Sequence, residues 1–167
     1  MATIEHLPVL GVCGFSGSGK TTLLQAVIPE LIQKGLRIAV VKHDAHGIQV
    51  DHPGKDSDLL FHAGADILLQ GPCEHFFRVH TPTPLELIPE LIKLSHQYDL
   101  VLVEGHKDSP IPKIWLLNEG ESAAPADKKN IIETLARDSQ RPKHFLDFIQ
   151  CWLKKQWEKR PVYGCVL

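Results

Sequence analysis

One octapeptide near the amino terminus constrains this chain more than any other stretch. Residues 14–21, Gly-Phe-Ser-Gly-Ser-Gly-Lys-Thr, fit the pattern G-x-x-x-x-G-K-[ST] of a phosphate-binding loop. The apolar run at 9–13 predicts a buried strand before the loop, and the apolar spacing after it predicts a helix. A loop in this setting wraps backbone N–H groups around an anion. The sequence therefore predicts binding of a nucleoside triphosphate.

The residue types in the loop define the chemistry that we expect. Glycines let the backbone approach a polyphosphate closely. Lys20 is expected to reach the β- and γ-phosphates, and Thr21 to hold a Mg²⁺ ion that bridges them. The predicted nucleotide-binding residues are Gly14, Ser16, Gly17, Ser18, Gly19, Lys20, Thr21 and Thr22.

Length and composition indicate one ordinary globular domain. The chain has 167 residues, 43% of them hydrophobic, and a net charge of −2, which gives no global basic field for nucleic acid. We expect a single nucleotide-binding domain over 1–160 and a tail over 161–167. No apolar stretch reaches transmembrane length and the start has no signal-peptide pattern, so we expect a cytoplasmic protein without a membrane partner.

Predicted strands and helices alternate along the chain. This alternation predicts an α/β protein with the three-layer P-loop NTPase fold and a mostly parallel central sheet. Pro29 is expected to kink the first helix, and Thr83, Pro84 and Glu86 form a helix-start signal. Further strands are predicted at 37–41, 67–69, 100–103, 112–117 and 131–135, with 67–69 buried, an edge strand at 74–79, and helices at about 58–63 and 142–157.

Two carboxylates are candidates for catalysis. Glu104 ends a predicted strand, at the position where a Walker B group orients Mg²⁺. Asp44 lies in the polar loop that follows the second strand, where ligands bind in open α/β sheets. Asp44 either binds Mg²⁺ and positions water or serves as a turn or capping carboxylate. The predicted metal ligands are Thr21, Asp44 and Glu104.

Histidines and lysines outside the loop allow other interpretations. Six of the ten histidines lie between residues 43 and 80, and His43 with His46 suggests a metal site, although an ordinary polar loop explains them as well. Lys42, Lys55 and Lys107 are candidates for the phosphate of a second ligand or for simple surface solvation.

Several segments together resemble a known family. They are residues 14–24, 41–47, 51–57, 63–65 and 102–105, and the likeness runs in register over about 7–117. The pattern resembles the molybdopterin-guanine dinucleotide biosynthesis protein B (MobB) family. The chain departs from this family at His106, where an aromatic residue usually follows Glu-Gly, and it has no N-K-x-D motif.

The resemblance implies a homodimer that binds GTP with Mg²⁺ and hydrolyses it weakly. Its implied partners are molybdopterin and a MobA-type guanylyltransferase, so it implies an accessory role in molybdenum cofactor biosynthesis. A small-molecule P-loop kinase and a metal-delivery GTPase are the alternatives. Segments 42–57 and 104–113 contain no arginine, so we expect at most a weak GTPase.

Overall fold

The computed structural model describes residues 4–42 and 52–159, which belong to two compact units. The first, here called the sheet unit, contains the described residues up to 42 and from Leu87 onward. The second, here called the hairpin unit, contains residues 52–86. The predicted tail at 161–167 lies outside the described residues.

The sheet unit is built on five parallel strands. In chain order they are β1 (Val9–Cys13), β2 (Ile38–Lys42), β5 (Leu100–Glu104), β6 (Lys113–Leu116) and β7 (Ile131–Leu135). Their spatial order is β2-β5-β1-β6-β7, which places β1 at the centre. Every residue of β1 is buried, as expected for an apolar strand covered on both faces. The predicted mostly parallel sheet is confirmed.

Helices cover both faces of this sheet. On one face, α1 (Lys20–Gln33) and α4 (Arg141–Lys159) pack against Leu10, Val12 and their neighbours. On the other face, α3 (Leu87–Gln97) packs against Val9 and the strand residues beside it. Alternate residues of one strand thus face opposite layers, and the predicted three-layer α/β fold is confirmed.

Prolines lie in α1 and α3, and the start of α3 differs from the prediction. Pro29 lies inside α1, which continues unbroken to Gln33. The third helix begins at Leu87, so the start signal predicted at Thr83 was wrong. Pro89 falls in the first turn of α3, where the missing N–H has no helical acceptor in any case.

The hairpin unit consists of one short helix and two strands. These are α2 (Asp56–His62), β3 (Ile67–Gln70) and β4 (His75–Arg78), with β3 antiparallel to β4. The prediction of a buried strand at 67–69 was wrong, because Leu68 in β3 is 60% exposed. An apolar run of this length does not distinguish a core strand from a hairpin strand.

The described helices include none that is both long and apolar enough to cross a membrane.

The packing of the core predicts that truncating a buried and an exposed residue of the same size lowers the free energy of unfolding by different amounts. Leu91 is fully buried and Ile32 is 54% exposed. Leu91→Ala should lower the free energy of unfolding by about 2–5 kcal/mol, because it removes packed methyl groups and leaves a cavity. Ile32→Ala should change it by less than about 1 kcal/mol. Urea unfolding of both variants measures the difference, and equal effects would contradict the packing of α3 on the sheet.

Candidate functional site

The glycine-rich loop follows β1 directly and ends where α1 begins. Gly14 has φ +153°, and a Cβ there would lie 2.4 Å from Ser18 Oγ and 2.7 Å from the Leu116 carbonyl oxygen. Gly19 is the residue before α1 and has a left-handed φ of +84°. Glycine suits both backbone angles, and at Gly14 there is also no space for a side chain. The loop therefore folds tightly over its own buried Ser18.

The N-terminus of α1 receives no cap from its N-cap residue, because Gly19 has no side chain to donate or accept a bond. The first turn of α1 contains no acidic residue. Such a terminus leaves donors and a positive dipole end that attract an anion. Lys20 adds its ammonium group, which donates to the carbonyl oxygens of Gly14 at 3.1 Å and Phe15 at 2.9 Å. The donor set of the loop fits a phosphate group.

A hydroxyl and a carboxylate meet beside Lys20. Thr21 Oγ1 donates a hydrogen bond of 2.8 Å to Glu104 Oε1, although the two residues are 83 positions apart. The parallel register pairs Glu104 with Val12, which brings the end of β5 next to the loop. Oxygen ligands of these two types suit Mg²⁺, so the pair fits the predicted metal site. Asp44, the third predicted ligand, lies outside the described residues.

Arg141 fastens the underside of the loop. It is 6% exposed, and its guanidinium donates to the carbonyl oxygens of Ser18 at 2.6 Å and Leu117 at 2.5 Å. Further bonds reach the carbonyls of Ala136 at 2.5 Å and Leu135 at 3.3 Å. Burial lowers the pKa of this guanidinium, and the neighbouring positive charge of Arg137 adds to the effect. One buried cation thus joins the loop to the carboxyl ends of β6 and β7.

The sequence analysis missed Arg141. Its position at the start of α4 was a usable signal, because a cation at a helix N-terminus opposes the helix dipole and needs another purpose. Arg137 Nη1 donates to the Gly17 carbonyl at 3.3 Å, so Arg137 also contacts the phosphate-binding loop.

A groove flanks the start of α1 in the same unit. It has a volume of about 250 Å³, and Thr22, Arg137 and Asp138 are among its lining residues. On the neighbouring strand end, Asn118 Nδ2 lies 3.5 Å from the Ser16 carbonyl oxygen. The segment containing Arg137 and Asp138 is therefore next to the loop, as a base-binding segment would be.

The predicted histidine site receives no support from the part of the chain that the structure describes. His43 and His46 lie outside that part, as does Asp44. Within residues 4–42 and 52–159, no group of three or more His, Cys, Asp or Glu side chains could hold a metal ion. His62 and His80 in the hairpin unit instead pair with Asp58 and Asp66.

Comparison with known proteins gives consistent matches. The family model of "Molybdopterin guanine dinucleotide synthesis protein B" (MobB) matches residues 9–137. A molybdopterin-guanine dinucleotide biosynthesis adapter protein from Haemophilus influenzae is 39% identical, covering 89% of this chain and 91% of the relative. Its Escherichia coli counterpart is 32% identical, covering 93% and 99%. The crystal structure of Bacillus subtilis MobB has a TM-score of 0.61 at 27% identity, covering 80% and 82%.

The arginine contacts predict that Arg141 is needed for both stability and nucleotide affinity. Arg141→Met should lower the free energy of unfolding by about 3 kcal/mol, because buried carbonyls lose a charged donor. The same change should weaken binding of a non-hydrolysable GTP analogue at least about tenfold, a loss of roughly 1.4 kcal/mol.

The matched control is Arg37→Met. The Arg37 side chain is 68% exposed and pairs with Asp99, away from the loop. Urea unfolding and titration calorimetry should show little change for this control. Equal affinities of the Arg141 variant and the wild type would show that the loop does not depend on this arginine.

The hydroxyl–carboxylate pair predicts a selective loss of the Mg²⁺ effect. Thr21→Val keeps the side-chain shape but removes a metal ligand, so binding of the analogue should lose most of its enhancement by Mg²⁺. Lys20→Ala should abolish detectable binding with or without Mg²⁺, because it removes the positive charge that pairs with the phosphates. Calorimetry with and without the metal separates the two effects. Full Mg²⁺ enhancement in the Thr21 variant would refute the metal assignment.

Proposed function

Because the chain belongs to the MobB family, we propose that it is a GTP-binding accessory protein of molybdenum cofactor biosynthesis. It binds GTP with Mg²⁺ and presents the nucleotide site to a MobA-type guanylyltransferase that acts on molybdopterin. The adapter role carried in the names of its relatives supports this proposal. Those relatives are matched over 91% and 99% of their lengths, so the likeness extends over nearly their whole length.

The observation that carries the proposal is the cluster of Lys20, Thr21 and Glu104 at one end of the sheet. The N-terminus of α1 and Lys20 attract the phosphates. Thr21 and Glu104 would hold a Mg²⁺ ion, which would supply positive charge to the phosphate oxygens. The protein's own groups orient the triphosphate, with Lys20 at its terminal phosphates and the loop amides around it. Asp44, proposed as a further ligand, orients water.

The arrangement of arginines favours binding over rapid hydrolysis. Fast GTPases place an arginine beside the transferring phosphoryl group, which changes rates by about 10³–10⁵. Residues 4–42 and 52–159 contain Arg37, Arg78, Arg137 and Arg141. Arg37 pairs with Asp99 and Arg78 with Asp58, whereas Arg137 and Arg141 bond to carbonyls of the loop and of the strand ends beside it. The chain therefore holds nucleotide and turns it over slowly.

Guanine is the proposed base, and the groove beside α1 is its proposed site. The names of the relatives support guanine, since each refers to a guanine dinucleotide. Asp138 and Arg137 line the groove and offer both an acceptor and donors for the base edge.

The hairpin unit supports a homodimer. Leu68 and Phe77 lie opposite each other across β3 and β4 and are 60% and 56% exposed. A two-stranded hairpin with an exposed apolar pair is marginal in water and gains stability when its face or edge is covered. A second copy of this chain is the proposed occupant.

Nucleotide turnover tests the proposed function. The isolated protein should release phosphate from GTP more slowly than about one per second, the range of ordinary enzymes. Glu104→Gln and Asp44→Asn should lower even this rate while Lys20 and the loop amides retain much of the binding. GTP should also outcompete ATP.

Three results would contradict this account. Fast turnover by the protein alone would exclude the accessory role. Equal affinity for ATP would remove the guanine assignment. Transfer of the γ-phosphate to a small-molecule acceptor instead of water would favour the kinase alternative.

A further inference from the structure

A second cavity lies next to the candidate nucleotide site within the sheet unit. It has a volume of about 500 Å³ and is lined by Cys13, Gly14 and residues 105–109. This volume falls within the range of small-molecule sites. Because Gly105 directly follows Glu104, the cavity adjoins the carboxylate that bonds to Thr21. The nucleotide assignments above use none of residues 105–109.

Three side chains, each in a strand or next to one, hold the loop that forms the cavity wall. Cys13 Sγ donates to the Gly105 carbonyl at 3.1 Å, and Lys113 Nζ donates to the Ser109 carbonyl at 2.6 Å. Asn130 Nδ2 donates to the Pro110 carbonyl at 2.6 Å. These bonds prepare a fixed wall, so a ligand would bind without first ordering the loop.

The same loop contains local backbone strain. Gly105 and the next residue, His106, both have left-handed backbones, with φ of +92° and +49°. A non-glycine residue in this region carries a conformational cost that the surrounding structure must impose. Strained positions of this kind cluster at ligand sites.

The charges around the cavity favour an anion. Lys107 lines the cavity and forms no ion pair with any residue of 4–42 or 52–159, whereas Asp108 pairs at 2.7 Å with Lys128, which also pairs with Asp127 at 2.8 Å. Lys113 is buried, and its ammonium donates to the carbonyls of Ser109 and Lys129. Burial raises the pKa of the Cys13 thiol to about 11, so this thiol in the cavity lining carries no negative charge near neutral pH. Lys107 is therefore the positive charge in the cavity lining that an anion can reach.

Polar and aromatic groups complete the surroundings. The Ser109 hydroxyl oxygen is buried without a hydrogen-bond partner in the described part of the chain, and so is Trp115 Nε1. Trp115 packs beside Cys13 and meets the Phe15 ring edge-on, with 5.4 Å between ring centroids. The Lys107 ammonium lies 5.8 Å from the centre of the same Phe15 ring, which is 42% exposed. A cation and an apolar ring surface thus stand side by side.

From this arrangement we propose that the cavity binds a second ligand, a small aromatic phosphomonoester, together with the nucleotide. Its phosphate pairs with Lys107 and its ring contacts Phe15. This inference rests on the proposed function, because it makes the chain a meeting point of GTP and a second phosphorylated compound. The sequence offered Lys42, Lys55 and Lys107 as candidates for the phosphate of a second ligand, and Lys107 is the one that lines this cavity.

Phenyl phosphate is the probe for this site. Calorimetric titration into protein saturated with Mg²⁺ and a non-hydrolysable GTP analogue should show binding of one equivalent. Lys107→Met should weaken that binding at least tenfold and leave the affinity for the GTP analogue within twofold. The matched control is Lys129→Met, which removes a nearby exposed lysine that does not line the cavity and should leave both affinities unchanged.

The outcomes separate the two proposals. The second site would be overturned if the wild type did not bind phenyl phosphate. It would also be overturned if the Lys107 variant bound phenyl phosphate as tightly as the wild type. Displacement of phenyl phosphate by the GTP analogue would assign the anion to the nucleotide site and also overturn it. Orthophosphate that binds as tightly as phenyl phosphate would refute the role of the aromatic ring. If the analogue itself fails to bind, the proposed function fails, and titration of the nucleotide-free protein still decides the second site.

Discussion

The candidate site depends on a buried cation that contacts four backbone carbonyls. Arg141 ties the phosphate-binding loop to the ends of β6 and β7, and no carboxylate is among its hydrogen-bond partners in the described residues. A planar fork of five N–H donors can satisfy four diverging carbonyls at once, whereas a lysine ammonium has only three donors. These bonds hold the loop backbone, so its N–H groups keep their direction toward an anion. Burying the charge is costly, and the position directly beneath an anion site offsets part of that cost.

Parallel pairing supplies the second constraint. Parallel strands end at the same edge of the sheet, so residues far apart in sequence meet there. The register of β1 and β5 places Glu104 beside Val12 and thereby within hydrogen-bond distance of Thr21. It also places the loop after β5 against Cys13. The candidate nucleotide site and the cavity proposed for a second ligand therefore meet at this edge because of one topological fact.

Local patterns allowed much of this to be predicted from the sequence. The bounds of β1 and β7 and the placement of Glu104 at a strand end follow from short apolar runs and their neighbours. The buried strand predicted at 67–69 failed because its apolar pattern does not reveal which surface covers it. The helix start at Thr83 failed because a capping pattern is only a local preference, and α3 begins where its apolar face meets the sheet. The role of Arg141 was missed because its partners are backbone groups, which leave no sequence pattern, and the only signal was a cation at a helix N-terminus.

In the proposed function, the protein holds a nucleotide at one edge of its sheet and leaves the chemistry to another enzyme. The most direct measurement is the rate at which a purified MobA-type guanylyltransferase joins GMP to molybdopterin, with and without this protein. The account predicts that the wild-type chain accelerates the transfer at limiting GTP. The Lys20→Ala variant, which lacks the ammonium group that contacts the phosphates, should not accelerate it. Equal rates with the wild-type chain, the Lys20 variant and no added chain would contradict it.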